Sequence, residues 1–153
     1  MIRLSMPQNG DRPGFTPASD QDREELAGAS ALKVLLVEDD YFAAMSIETA
    51  LQDAGYKIVD VVDTAERAIA LCAAEKPDLV VTDIRLCGEL DGIDVAKCAA
   101  QLGIPYIIAS AHSDAKTRAR ADGFPPADWL VKPFSNRDLV RAVDSELRSK
   151  TSH

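Results

Sequence analysis

The chain has 153 residues, 46% of them hydrophobic and 27% charged, which is typical of one soluble globular domain with a substantial core. Its formal net charge of −8 at pH 7 argues against the basic surface that binds nucleic acid or anionic membranes. No apolar run approaches the roughly 18 residues of a membrane-spanning helix, and the first residues lack the apolar core of a signal peptide. We therefore expect a cytoplasmic protein with no nucleic-acid or membrane partner.

The cysteines and histidines are few and irregularly spaced. Cys72, Cys87 and Cys98 are odd in number and lack the spacing of metal ligands, and the only histidines are His112 and His153. This pattern predicts free thiols in a reducing compartment and no zinc or histidine-based metal site.

Residues 1–31 differ in composition from the rest of the chain. Proline and glycine recur between residues 7 and 17, which indicates an irregular segment, and only residues 19–27 have the pattern of a short helix. We predict a flexible or partly helical N-terminal extension over 1–31, a folded domain over 32–148 and a C-terminal tail over 149–153.

From residue 32 onward, short apolar runs alternate with amphipathic helical patterns. Each apolar run is bounded by polar residues, glycine or proline, as in strands buried on both faces. Five strand–helix units in a row predict an α/β fold with a parallel sheet between two layers of helices. The predicted strands are 33–37, 57–62, 79–83, 105–109 and 128–131, and the predicted helices are 41–54, 65–74, 92–102, 113–122 and 136–147.

Chemically distinctive side chains stand where these strands end. Glu38 and Asp39 follow the first strand, Asp83 ends the third, Ser110 follows the fourth and Lys132 follows the fifth. Because the carboxyl ends of parallel strands share one edge of a sheet, we expect these side chains to converge. Three clustered acids favour a hard divalent cation such as Mg²⁺. With a lysine and a hydroxyl nearby, the set predicts a phosphoryl-binding pocket in which one carboxylate is the nucleophile.

Four segments together carry a family resemblance: Val34–Asp40 (VLLVEDD), Asp78–Asp83 (DLVVTD), Ile107–Ala111 (IIASA) and Leu130–Phe134 (LVKPF). In this order and at this spacing, they resemble the motifs of the response-regulator receiver domain of bacterial two-component signalling. The resemblance covers residues 32–147. It implies a flavodoxin-like, doubly wound sheet of five parallel strands in the order 2-1-3-4-5, with five helices.

The resemblance also implies the residues of a phosphorylation site. Asp83 would be the phosphoacceptor. Asp39 and Asp83 would bind Mg²⁺ directly, with Mn²⁺ as an alternative ion, while Glu38 would act through water. The backbone carbonyl of Arg85 would complete the protein ligands of the metal.

Further positions are implied in the same way. Lys132 would bind the phosphoryl group, and the Lys132–Pro133 peptide bond would be cis. Ser110 would move toward the phosphoryl group, and Trp129 occupies the family's aromatic switch position. The positions that tune dephosphorylation in the family hold Arg85 and His112.

The function implied is that of a single-domain response regulator. A histidine kinase or phosphotransfer protein would phosphorylate it in a phosphorelay, and the phosphoprotein would change its binding to a downstream protein target. It would act as a monomer or as a phosphorylation-dependent homodimer. It would not be an enzyme beyond its own Mg²⁺-dependent phosphorylation and dephosphorylation. The short stretch after residue 147 carries no DNA-binding motif, which favours a stand-alone regulator.

Two alternatives stay open at this point. Cys87 stands where many family members have proline, and the loop after Asp83 is one residue longer than usual, so a phosphorylation-independent adaptor is one alternative. An aspartyl-phosphate phosphatase of the haloacid-dehalogenase type is the other, although that family has a second aspartate where Arg85 stands. A nucleotide-binding domain is disfavoured, because residues 38–41 lack its glycine-rich turn.

Overall fold

The computed structural model describes residues 31–111 and 113–151, without the side chains of residues 149–151. The N-terminal extension before residue 31, His112 and His153 lie outside these residues. Strands and helices alternate throughout. The strands are β1 (Lys33–Val37), β2 (Lys57–Val62), β3 (Leu79–Thr82), β4 (Tyr106–Ser110) and β5 (Asp128–Val131), and the helices are α1 (Tyr41–Asp53), α2 (Ala65–Glu75), α3 (Gly92–Gln101), α4 (Ala115–Ala119) and α5 (Asn136–Thr151).

All five strands are parallel and lie in the order β2-β1-β3-β4-β5. The predicted doubly wound sheet and its strand order are therefore confirmed. At the centre, Val37 of β1 lies opposite Thr82 of β3, which in turn lies opposite Ile108 of β4. This register brings the carboxyl ends of the three central strands to the same level, where the polar residues follow.

The core is divided by the sheet into two apolar layers. Leu35 and Val80 face the layer that contains buried residues of α2 and α3. Leu36 and Val81 face the layer that contains buried residues of α1 and α5. Because alternate residues of a strand point to opposite faces, a strand buried on both faces must be apolar throughout, and this explains the continuous apolar runs in the sequence.

Polar side chains fix where the helices begin. The carboxylate of Asp40 accepts hydrogen bonds from the amides of Phe42 and Ala43, both at 3.0 Å, and caps α1. The hydroxyl of Ser135 accepts from the amide of Asp138 at 3.0 Å at the start of α5. Such caps satisfy backbone donors that the first turn of a helix leaves unpaired.

The bounds of two helices differ from the prediction. The fourth helix was predicted over 113–122, but α4 comprises only Ala115–Ala119, and a turn follows it. Its sequence has no apolar stripe to pack on the sheet, so little stabilises a longer helix. Conversely, α5 continues to Thr151, into the predicted tail, because no glycine or proline ends it after Leu147. Within the described residues, no helix is long and apolar enough to span a membrane.

Candidate functional site

Three acids meet at the carboxyl ends of β1 and β3. Glu38, Asp39 and Asp83 each place a carboxylate oxygen within 4.8 Å of the others. Backbone hydrogen bonds continue the sheet past the strands and hold two of these acids in place. The Glu38 amide donates to the carbonyl of Val62 at 2.9 Å, and the Asp83 amide donates to the carbonyl of Val37 at 2.9 Å. Glu38 and Asp83 are buried, whereas Asp39 is exposed. The cluster is therefore open to solvent on the side of Asp39.

Lys132 supplies a positive charge to this cluster. Its Nζ lies 2.9 Å from Oε1 of Glu38 and 2.9 Å from Oδ2 of Asp83. Its backbone amide donates to the carbonyl of Ser110 at 2.9 Å, which holds the end of β5 against the end of β4. The peptide bond between Lys132 and Pro133 is cis. The sheet thus places one ammonium group against two of the three carboxylates.

Both carboxylate oxygens of Asp83 have partners. Oδ1 accepts from the amide of Ile84 at 2.6 Å, while Oδ2 accepts from Lys132. The hydroxyl of Thr82 donates to the backbone carbonyl of Asp83 at 2.7 Å. Because these contacts involve the side chain and the backbone, the orientation of the Asp83 carboxylate is well determined.

Burial and hydrogen bonding shift the pKa values of Glu38 and Lys132 in this cluster. Burial raises the pKa of Glu38 above its ordinary value, although hydrogen bonds from Lys132 and the Asp40 amide oppose the rise. Burial would lower the pKa of Lys132, but hydrogen bonds to Asp83 and Glu38 outweigh it and raise the pKa. Lys132 is therefore charged at neutral pH. One lysine does not balance three acids, and an all-oxygen donor set with an exposed member suits a hard ion such as Mg²⁺.

Two of the other predicted site residues, Ser110 and Arg85, are among the residues that the structure describes. Ser110 is buried at the end of β4, opposite Val131 in the register of β4 and β5. Arg85 is exposed, two residues after Asp83. His112 lies outside the described residues. The structure thus brings Glu38, Asp39, Asp83 and Lys132 together and places Ser110 at the same edge of the sheet.

Trp129 lies on β5 opposite Ile108 and is half-buried. The guanidinium carbon of Arg118 stands 4.4 Å from the centroid of its rings, a typical cation–π distance. The indole Nε1 is buried and has no hydrogen-bond partner within the described part of the chain. A buried donor without a partner costs folding free energy. A rearrangement that gave the Trp129 Nε1 a hydrogen-bond acceptor would therefore be favourable.

Sequence reasoning missed the role of Gly92. A Cβ atom on this residue would lie 1.8 Å from the backbone oxygen of Asp83, far inside contact distance. The Gly92 amide donates to the carbonyl of Ile84 at 2.7 Å. The end of the loop therefore packs directly against the backbone of Asp83, and only glycine fits there. A glycine in the first turn of a helix, where a stronger helix former is usual, was the available signal.

Comparison with known proteins agrees with the fold. A sequence model of the response regulator receiver domain matches residues 34–144. The chain belongs to this family. The transcriptional regulatory proteins PdtaR and PrrA of Mycobacterium tuberculosis are both 33% identical to this response regulator domain. The matches cover 84% and 82% of the chain but only 60% and 54% of those proteins.

Solved structures show the same fold. The signal receiver domain of a modulated diguanylate cyclase from Desulfovibrio desulfuricans is 32% identical, with a TM-score of 0.73 over 80% of this chain and 98% of that one. A CheY-like receiver domain protein from Methanospirillum hungatei, 22% identical, superposes with a TM-score of 0.74 over 80% of this chain and 98% of that one. The chain is therefore a receiver domain of two-component signalling.

Proposed function

We propose that Asp83 accepts a phosphoryl group from a phosphohistidine of a histidine kinase or phosphotransfer protein. The observation that supports this most strongly is the position of its carboxylate, which lies 2.9 Å from the ammonium of Lys132 and groups within 4.8 Å with the carboxylates of Glu38 and Asp39. An Asp83 oxygen attacks phosphorus, the P–N bond breaks, and the imidazole nitrogen leaves with the bonding electrons. The product is an acyl phosphate on Asp83 and a free histidine on the donor.

The metal in this proposal is Mg²⁺, with Mn²⁺ as the alternative. Asp39 and Asp83 would hold it directly, Glu38 through water, and the carbonyl of Arg85 would complete the protein ligands. When bound, the ion supplies positive charge that neutralises phosphoryl oxygens. The three carboxylates and their single lysine support this choice, because they leave negative charge uncompensated at the site.

Other side chains act on the phosphoryl group after transfer. Lys132 exchanges its contact with Asp83 for one with a phosphoryl oxygen, and Ser110 donates a hydrogen bond to another. Trp129 then repacks on β5. Arg85 and His112 flank the acceptor and the Ser110 segment and set the rate at which water removes the phosphoryl group. These roles follow from the family, and the positions of the described residues are compatible with them.

The output in this proposal is altered binding of a downstream protein, by a domain over residues 32–148. The regulator works in the cytoplasm, a compartment consistent with three free cysteines, as a monomer or a phosphorylation-dependent homodimer. The matched part makes up only 60% and 54% of PdtaR and PrrA, and in this proposal the domain acts without a second one. This point can be tested by measuring the mass of the protein isolated from the cells that produce it naturally.

Intact-mass measurement tests phosphorylation directly. We expect incubation with a small phosphodonor and Mg²⁺ to add one acid-labile phosphoryl group to the wild type. The Asp83→Asn variant should lose the adduct, and Asp63→Asn, which changes an exposed acid outside the cluster, should retain it. An equal adduct in Asp83→Asn would refute Asp83 as the acceptor. No adduct on the wild type would favour the adaptor alternative.

A further inference from the structure

An arginine at the end of α4 is paired with the loop that follows the acceptor strand. Nη1 and Nη2 of Arg120 lie 2.7 Å and 3.2 Å from the two carboxylate oxygens of Asp91. Such a two-pronged contact fixes direction as well as distance. The two side chains are 46% and 28% exposed, so the pair contributes little to stability. The main effect of the pair is to hold Asp91 in a fixed position relative to Arg120.

Asp91 lies one residue from the contact with the phosphoacceptor. Its Oδ1 also accepts from the amides of Ile93 at 3.0 Å and Asp94 at 3.3 Å, so the same carboxylate begins α3. Gly92 follows at once and packs on the backbone oxygen of Asp83. A displacement of Asp91 would therefore move the residue that touches the acceptor. Arg120 contacts this segment from outside.

The same helix reaches Trp129 through a second arginine. Arg118 stacks on the indole at 4.4 Å, and its Nε donates to the carbonyl of Ser113 at 3.0 Å. None of the residues of α4, all of them described, is buried. Since apolar packing does not hold the helix, its side-chain contacts contribute strongly to its position. Through Arg120 at its end and Arg118 within it, α4 thus contacts both the acceptor loop and β5, the strand that precedes Lys132.

We propose that Arg120 is a positioning residue for the phosphoacceptor and that α4 couples the acceptor loop to Trp129. This inference rests on the proposed phosphorylation of Asp83. Arg120 holds Asp91, Asp91 holds Gly92 against Asp83, and Arg118 passes any shift of α4 to the indole. Burial opposes ionisation of Asp91, but the hydrogen bonds and charge of Arg120, together with hydrogen bonds from the amides of Asp94 and Ile93, hold its pKa below the ordinary value.

Three variants and a matched control test the proposal. Arg120→Gln removes the positive charge of the pair. Asp91→Asn removes its negative charge and keeps a residue that caps helices well. We expect each to slow phosphorylation by a small phosphodonor by about 3- to 10-fold, with the double variant no slower than either single one. The control is Arg67→Gln, which breaks another exposed arginine–aspartate pair, Arg67 with Asp60 at 3.6 Å, and should react at the wild-type rate.

Fluorescence of the single tryptophan gives a second readout. Asp91→Asn should shift the emission of Trp129, even though Asp91 does not stack on the indole and Arg118 does. If Asp91 only capped α3, the emission would stay unchanged. Phosphorylation at the wild-type rate in both Arg120→Gln and Asp91→Asn would overturn the positioning role, and an unshifted emission in Asp91→Asn would overturn the coupling. A wild type that takes up no phosphoryl group would overturn the proposed function, and the positioning role with it.

Discussion

The Nζ of Lys132 lies 2.9 Å from Oδ2 of Asp83, although 49 positions separate the two residues in the sequence. The contact joins the end of the edge strand β5 to the end of the central strand β3, with β4 between them. Lys132 therefore supplies positive charge at the place where a metal ion and a phosphoryl group would bind. This relation leads to the first prediction.

Replacing Lys132 with methionine should strengthen Mg²⁺ binding and weaken the metal-free fold. The acids lose the cation that competes with the metal, so the Mg²⁺ affinity should rise. Without metal, two buried carboxylates lose a hydrogen-bond donor, which should lower the free energy of unfolding by about 1–3 kcal/mol. Urea unfolding with and without Mg²⁺ measures both effects. Lys97→Met, at an exposed position of α3, is the control, and an unchanged or weaker Mg²⁺ affinity in Lys132→Met would contradict the prediction.

Asp39 and Asp40 are adjacent acids with different assigned roles. Asp39 belongs to the carboxylate cluster, whereas Asp40 caps α1. Asp39→Asn should weaken Mg²⁺ binding by about tenfold or more, since the loss of even an indirect partner of a metal costs about 10- to 100-fold. Asp40→Asn keeps a good cap and should change the affinity much less. Calorimetric titration with Mg²⁺ compares the two, and equal losses would refute the separate roles.

Gly92 should tolerate no side chain. In Gly92→Ala the new Cβ would overlap the Asp83 carbonyl, so the backbone must move, at a cost of about 1–3 kcal/mol or more. The displaced acceptor should also react more slowly with a phosphodonor. Gly123→Ala is the matched control, because a Cβ there meets nothing within 4 Å. Urea unfolding and intact-mass kinetics provide the readouts, and equal behaviour of the two variants would count against the close packing at Asp83.

Tyr56 should make the fold sensitive to alkaline pH. Burial and a hydrogen bond to Asp144 raise its pKa to about 12, against about 10 in an unfolded chain. A raised pKa in the folded state means that the stabilisation is complete below pH 10 and disappears as pH rises to 12. The loss should be on the order of 2 kcal/mol. Unfolding free energies between pH 9 and 12 should fall less steeply in Tyr56→Phe, and identical slopes would contradict this.

The central features of the fold and the site were readable from the sequence for definite physical reasons. The strand Leu79–Thr82 is buried on both faces, so Leu79, Val80 and Val81 form an apolar run, which is followed by Thr82 and Asp83. Glu38 and Lys132 follow strands in the same way, and parallel topology alone brings them to one edge.

Other features depend on distances that no local pattern encodes. Arg120 and Asp91 are 29 positions apart, and their pairing follows from where a five-residue helix lies on the surface. The stacking of Arg118 on Trp129 has the same origin. The close approach of Gly92 to Asp83 requires the path of the whole loop. For α4, the sequence predicted a helix at the right place but a longer one, because hydrogen bonds rather than packing set its limits.

The most direct measurement of the central claim is chemical trapping of the phosphorylated residue. An acyl phosphate is reduced by borohydride to an alcohol, which converts a phosphorylated aspartate to homoserine and marks its position for peptide mapping. After reaction with a small phosphodonor and Mg²⁺, we predict homoserine at residue 83. Homoserine at another aspartate, or none in a chain that is folded and saturated with Mg²⁺, would contradict the assignment of Asp83 as the phosphoacceptor.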